Sequence, residues 1–173
     1  VAVGRNSLES VNQASALNTY NVAMGYDSGA AVTTGFENTL IGGFAGGALT
    51  DADYNLAVGY QALANDTLGS RSTAIGRSAL QNQNFTGATN TYNTAVGFNA
   101  GLSMTTGINN TIVGGLAGDT LTEGDNNVAI GVQALTADTK GNKNIAIGDA
   151  ALRSQNFTSS TDAYNVAVGH NAG

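Results

Sequence analysis

The chain has 173 residues, 24 of them glycine, with no proline, cysteine or tryptophan, and only 10% of its residues are charged. A net charge of −6, with six scattered basic residues, provides no basic stripe to neutralise phosphates and argues against a nucleic-acid partner. Without cysteine there are no disulfide staples or thiolate metal sites, and no apolar run approaches the roughly 18 residues of a membrane-inserting helix.

Hydrophobic residues make up 42% of the chain and aromatics 6%, so a thin core of Ala, Val, Ile and Leu is expected rather than a large central one. In chain order one tripeptide recurs ten times: Ala2-Val3-Gly4, Ala23-Met24-Gly25, Leu40-Ile41-Gly42, Ala57-Val58-Gly59, Ala74-Ile75-Gly76, Ala95-Val96-Gly97, Ile112-Val113-Gly114, Ala129-Ile130-Gly131, Ala146-Ile147-Gly148 and Ala167-Val168-Gly169. The core glycines are spaced by 17, as from Gly42 to Gly59, or by 21 on every fourth step, as from Gly76 to Gly97. The whole pattern therefore recurs with a period of 72, carrying Gly4 onto Gly76 and Gly25 onto Gly97. Sliding the chain by that period matches about half of the overlapping positions. Such self-similarity is the mark of a solenoid. Residues 1–173 read as one continuous all-β array of ten 17/21-residue rungs, a parallel β-solenoid (β-roll). The array opens and closes inside a repeat, as a piece of a longer chain would.

Four residues before the core glycine stands Asn21, Asn38, Asn55, Asn93, Asn110, Asn127, Asn144 or Asn165, with Ser72 the one exception. In a parallel stack such amides can bond to their copies above and below, forming a ladder. Around the small residue of each tripeptide, larger and mostly β-branched residues alternate with period two, which predicts a strand. Seven residues before the core glycine come Gly35, Gly69, Gly107, Gly124 and Gly141, or Asn18, Asn90 and Asp162, which predicts a tight left-handed turn; Ala52 breaks that rule. Four residues after it Leu and Gly alternate in pairs, as if fitting a neighbour. Each rung is expected to hold two short strands and two turns. Ten rungs at the strand spacing reach on the order of 45–50 Å. So thin a coil buries little apolar surface alone, so its β-branched face is expected to seek other copies of the chain.

The run Asn-x-Ala-(Val/Ile)-Gly-x-x-(Ala/Ser), as in Asn93-Thr94-Ala95-Val96-Gly97-Phe98-Asn99-Ala100 and Asn127-Val128-Ala129-Ile130-Gly131-Val132-Gln133-Ala134, resembles the head repeat of trimeric autotransporter adhesins of the YadA-like type. It is also similar to repeats of phage tail fibres. The resemblance covers the whole chain and implies a left-handed parallel β-roll, a homotrimer, and binding to host or matrix surfaces. Those adhesin heads repeat at a shorter period than this chain does.

Each long rung carries a four-residue insertion, around Val11 to Ala16, Gln83 to Ala88 and Gln155 to Ser160, followed by Tyr20, Tyr92 or Tyr164. Asn84, Phe85, Thr86 and Tyr92, with Asn156, Phe157, Thr158 and Tyr164, are the candidate receptor-contact residues. Loops protruding on one side at intervals of roughly 19 Å suit a host-surface glycan or protein receptor. The plainer alternative has Phe and Tyr sealing each loop against the roll or a neighbouring chain. Gly42 to Gly47 and Gly114 to Asp119 lack the Lys-Ser/Thr of a phosphate loop, and Asp51, Asp53, Asp66, Asp125 and Asp138 read as turn acids that form no metal cluster. His170 is the only histidine, and the same groups repeat regularly where a catalytic triad needs different ones converging. No catalytic residue, metal site or cofactor is assigned. Ice binding would call for a threonine ladder, yet the column three before the core glycine mixes Thr39, Thr73, Thr94 and Thr111 with Val, Leu and Ile. The expected role is a rigid extracellular attachment fibre at a cell surface or on a virion. The alternative is a filament or spacer with no ligand of its own.

Overall fold

A computed structural model describes residues 1–12 and 18–173 as all-β, with no helix among them. The strands are β1 (Ala2–Val3), β2 (Val22–Met24), β3 (Thr39–Ile41), β4 (Leu56–Val58), β5 (Gly69–Ser70), β6 (Thr73–Ile75), β7 (Thr89–Asn90), β8 (Thr94–Val96), β9 (Thr111–Val113), β10 (Val128–Ile130), β11 (Gly141–Asn142), β12 (Ile145–Ile147), β13 (Thr161–Asp162) and β14 (Val166–Val168). Ten of them form one parallel sheet in the order β1-β2-β3-β4-β6-β8-β9-β10-β12-β14, one strand from each turn of the solenoid. Equivalent residues pair directly: Ala2 with Ala23, Ala23 with Leu40, Ala95 with Ile112, Ala146 with Ala167. Two small parallel sheets, β5-β7 and β11-β13, reinforce the opposite wall where the turns lengthen. Elsewhere among the described residues that wall bonds from one turn to the next without forming regular strand, so the expected two strands appear only in the four turns that carry β5, β7, β11 and β13.

The core glycine ends the strand under a tight steric constraint. Gly59 sits at φ +136°, and a Cβ there would lie 2.4 Å from the carbonyl oxygen of Gly76 in the next turn. The same clash, at 2.3–2.5 Å, recurs at each of Gly4, Gly25, Gly42, Gly76, Gly97, Gly114, Gly131 and Gly148. Only a residue without a side chain lets consecutive turns close to hydrogen-bonding distance.

The strand's middle residue points inward. Ala23, Leu40, Ala57, Ala74, Ala95, Ile112, Ala129 and Ala146 are fully buried, as is the alanine three residues after the core glycine from Ala45 through Ala151. The paired Leu and Gly column is explained inside the coil rather than by a neighbouring molecule. A Cβ on Gly29 would lie 2.7 Å from Leu40 Cδ1, and one on Gly46 would lie 2.7 Å from Leu40 Cδ2. Gly101 and Gly118 stand in the same relation to Ile112, at 3.2 and 3.3 Å from its Cδ1. Where the strand's inward residue is Leu or Ile, glycine makes room on both turns. Where it is alanine on successive turns, Leu63, Leu80 and Leu135 fill the space and are themselves fully buried.

The corners differ from expectation. Gly35, Gly69, Gly107, Gly124 and Gly141 are not left-handed, and neither are Asn90, Asp162 or Ala52; residues 69, 90, 141 and 162 lie in strands. Glycine is needed there for close approach: a Cβ at Gly35, Gly107 or Gly124 would lie 2.4 Å from a carbonyl oxygen of the next turn. No turn falls at Ala52. The left-handed corner lies two residues on, at Tyr20, Glu37, Tyr54, Arg71, Tyr92, Asn109, Asn126, Lys143 and Tyr164, with φ between 50° and 66°. Two further left-handed columns lie two and four residues after the core glycine.

Replacing Gly59 with Ala is expected to destabilise the fold by about 3 kcal/mol, since it adds both backbone strain and a backbone clash. Gly115→Ala, where a Cβ meets nothing within 4 Å, is expected to be neutral. Denaturant titration of the two variants checks the contrast.

Candidate functional site

The insertions are built on a polar core. Seven residues after the core glycine the interior column reads Val32, Leu49, Asp66, Gln83, Met104, Leu121, Asp138, Gln155. Asp66, Gln83 and Asp138 are fully buried, so Asp66 and Asp138 are interior residues and not surface turn acids. Asp66 Oδ1 accepts the backbone N–H of Gly69 at 3.1 Å and of Phe85 at 2.9 Å, while Oδ2 accepts Gln83 Nε2 at 2.6 Å. Gln83 Nε2 also donates to Ser72 Oγ at 2.8 Å, and Gln83 Oε1 accepts Asn93 Nδ2 at 2.9 Å. Ser72 Oγ and Thr91 Oγ1 are 2.6 Å apart. The second copy repeats the clasp: Asp138 holds the N–H groups of Gly141 and Phe157 and the Gln155 amide, and Gln155 Oε1 accepts Asn165 Nδ2 at 2.7 Å. A buried carboxylate is tolerated because charge-assisted bonds satisfy it.

That clasp defines where the loop leaves the roll. Leu68 N–H donates to Phe85 O, and Thr89 N–H donates back to Leu68 O, so the extra residues are those between Phe85 and Thr89. Thr86, Gly87 and Ala88 are exposed, as are Thr158, Ser159 and Ser160 in the second copy. Phe85 is 7% exposed and Phe157 half-buried, so the phenylalanines pack inward. Asn84, Asn156 and Thr158 stand at the surface, and Tyr92 and Tyr164 project from the left-handed corner with 56% and 64% of their surface exposed. In the first long rung Val11 is half-buried and Asn12 exposed; residues 13–16, which complete the insertion expected there, lie outside the described residues.

The asparagine column does more than stack. Asn21 Oδ1 accepts the backbone N–H of Asn38 at 2.8 Å, and the same bond runs from Asn38 to Asn55, Asn55 to Ser72, Asn93 to Asn110, Asn110 to Asn127 and Asn127 to Asn144 at 2.9–3.0 Å. Asn144 Oδ1 takes the N–H of Asn165 at 3.3 Å. Each Nδ2 from Asn21 through Asn127 crosses to the opposite wall, donating to the carbonyl of Gly35, Ala52, Gly69, Gly107, Gly124 or Gly141 at 2.7–2.9 Å.

Two exposed rows flank the outer face of the main sheet. Along the edge after each strand, Arg5 lies over Tyr26, Tyr26 meets Phe44 edge-on at 5.3 Å, Phe44 meets Tyr60 at 6.0 Å, and Arg77 lies over both Tyr60 and Phe98. Along the left-handed corner, Phe36 packs edge-on against Tyr54 at 5.0 Å and the Arg71 guanidinium lies 4.5 Å from the Tyr54 ring centre. Lys143 Nζ is 2.6 Å from Asp162 Oδ2 and 3.1 Å from the Tyr164 hydroxyl. The bond to Asp162 is the chief cause that raises the Lys143 ammonium to about 12, and the same bond lowers the Asp162 carboxyl below its ordinary value. Sequence reasoning missed the first row, although Arg5, Tyr26, Tyr60, Arg77 and Phe98 share one offset from the core glycine.

Among the described residues no group of three or more His, Cys, Asp or Glu side chains comes together to hold a metal. No helix among them is long and apolar enough to cross a membrane. The chain matches no known family profile, no curated protein and no solved structure.

Asp66→Ala leaves two backbone N–H groups unpaired in the interior and takes one of the two acceptors from the Gln83 amide, at an expected cost of about 3 kcal/mol. Faster hydrogen exchange at the Phe85 amide, with the Phe157 amide unchanged, is the accompanying signature. The Lys143–Asp162 pair has two edges in pH. The ammonium, raised in the fold, contributes below its ordinary value and loses that contribution as pH rises through about 12. The carboxylate, lowered in the fold, contributes above its ordinary value and loses it as pH falls through the depressed one. Asp162→Asn is expected to return Lys143 toward 10.5, readable by side-chain NMR titration.

Proposed function

We propose that this chain is a rigid segment of a trimeric extracellular fibre that attaches to a host, glycan or matrix surface, as an adhesin head of the YadA-like type or a phage tail fibre does. In this reading the coil is left-handed, its short and long rungs follow the core-glycine spacing, and three copies lie side by side.

The observation that carries it is the outer face of the ten-stranded sheet. The residues on either side of each buried strand centre face outward, and the second of them is Val, Ile or Met in all ten turns: Val3, Met24, Ile41, Val58, Ile75, Val96, Val113, Ile130, Ile147 and Val168. Met24 is 48% exposed and Val168 67%. A soluble chain rarely leaves so long a contiguous apolar stripe uncovered. With the aromatic row beside it, the face is on the order of 45 Å by 14 Å, roughly 600 Å². That is comparable to the about 800 Å² per partner of a stable interface. An apolar centre with Tyr, Phe and Arg at its margin also has the composition of such interfaces. A second copy of the chain supplies the same stripe in the same spacing.

On this reading the exposed loop tips at 86–88 and 158–160, with Tyr92 and Tyr164, are the attachment elements. Their four-turn repeat presents them at intervals of roughly 19 Å along one side. Deleting residues 86–88 and 158–160 is expected to abolish binding to host cells or a glycan array while circular dichroism stays β-rich; a pure spacer gives no reproducible hits even before deletion. Light scattering of the native rod should give the mass of three chains. Val58→Asp together with Val96→Asp, which place charge in the apolar stripe, should reduce it to one. A wild-type monomer overturns the trimer.

A further inference from the structure

The two described long rungs carry equivalent corners built from different residues, Arg71, Tyr54 and Asn90 in one and Lys143, Asn126 and Asp162 in the other, with opposite electrostatic outcomes. In the second copy, Lys143 is neutralised at 2.6 Å by Asp162, the residue seven before its core glycine. In the first copy that position is Asn90, which accepts from Arg71 Nε at 3.1 Å and brings no charge. Among the described residues, Arg71 has no carboxylate within ion-pairing distance and neither of its terminal Nη groups has a protein partner. The nearest turn does hold an acid, Asp53, which feels the Arg71 charge without forming an ion pair with it, and whose Oδ1 is taken by the backbone N–H of Phe36 at 3.0 Å.

Arg71 is also fixed in place. Its guanidinium carbon lies 4.5 Å from the ring centre of Tyr54, which Phe36 meets edge-on at 5.0 Å, and its Nε is bound. A guanidinium set over an aromatic ring, with both Nη groups open, is pre-organised to take a planar anion in a two-point grip. Tyr54 and Tyr92 flank it on the turns below and above, 39% and 56% exposed. Exposed tyrosine rings offer flat apolar faces with a polar tip. The amide nitrogen of Asn90, on an exposed residue, is free to donate beside them. A carboxylate on a hydroxylated ring satisfies all of these groups together. A bare anion uses only the guanidinium.

We propose that Arg71, Tyr54, Tyr92 and Asn90 form a binding site for a carboxylated saccharide, a sialic or uronic acid unit, and that the equivalent corner, with Lys143, Asn126 and Asp162 in place of Arg71, Tyr54 and Asn90, does not take it. The site names the ligand class for the attachment fibre proposed above and rests on that reading.

The test titrates the full chain with sialic- and uronic-acid oligosaccharides, their neutral parents and a glutamate-rich peptide, using calorimetry and side-chain NMR of arginine. The expected result is one acidic-sugar site per chain, with the neutral parents at least tenfold weaker. Arg71→Ala and Asn90→Asp should each lose at least tenfold. Asp162→Asn should leave the stoichiometry at one, because Lys143 and Asn126 stand where the site needs Arg71 and Tyr54. Circular dichroism checks that each variant keeps its β signal. The proposal is overturned if no acidic sugar binds, if neutral parents bind equally, if Arg71→Ala or Asn90→Asp binds like wild type, if Asp162→Asn raises the stoichiometry to two, or if the peptide binds as well as the sugars. Particle mass and attachment to host cells are measured on the same preparations. A trimer that attaches but ignores acidic sugars defeats this site alone, whereas a monomer that attaches to nothing defeats the fibre.

Discussion

The solenoid depends on the asparagine four residues before the core glycine, because that one side chain ties three segments of backbone together. Its oxygen takes the N–H of the next turn on the same wall, and its nitrogen reaches across the interior to a carbonyl of the opposite wall. The interior is narrow enough for one amide to span it. It is also buried, with Asn38, Asn110 and Asn127 at 0% exposure, so both bonds are worth more than they would be at the surface. Among the described residues the second wall forms regular strand only at β5-β7 and β11-β13, so this crossing bond is what holds it in register elsewhere. At Ser72 the amide is missing, and the Ser72–Thr91 hydroxyl pair and the Gln83 amide take over its work.

The period, the strand and its inward residue were legible because each rests on a steric rule that repeats. Glycine is forced wherever a Cβ would meet a neighbouring carbonyl, and a small residue is forced where two walls nearly touch. The corners were not legible. Glycine, Asn and Asp suggested a left-handed turn seven residues before the core glycine, but there glycine serves close approach. Apart from Asn109 and Asn126, the left-handed residues there are Tyr, Glu, Arg and Lys, types with no preference for that conformation. The fold imposes the corner by holding both walls, and the side chains there are free to vary because they lie outside.

A threonine column was also missed. Thr33, Thr50, Thr67, Thr105, Thr122 and Thr139 stand nine residues before their core glycines, and in both runs their hydroxyls donate to a backbone carbonyl of the next turn. Attention to the strand, where Thr alternates with Val, Leu and Ile, hid it. Of the expected insertion at 83–88, Gln83 and Phe85 belong to the interior, and Thr86 to Ala88 are what emerges. The buried Asp and Gln were recoverable in principle. At the turns built around Gly29, Gly46, Gly101 and Gly118 the interior column is Val, Leu or Met, and at those built around Leu63, Leu80, Leu135 and Leu152 it is Asp or Gln.

The fit of Leu40 between Gly29 and Gly46, and of Ile112 between Gly101 and Gly118, bears on how such a chain finds its own alignment. An array of near-identical turns invites misthreading, in which a turn docks one place away from its proper neighbour. Here a slip of a single place would set a bulky inward residue against a leucine, or leave a void between alanines. The coding therefore repeats only after four turns, and the nearest tolerated error must loop out a whole super-repeat at once. Closing so long a loop is entropically costly and forfeits every contact within it. Pairing large with small in a four-beat pattern thus acts as a proofreading device, written in side-chain volume.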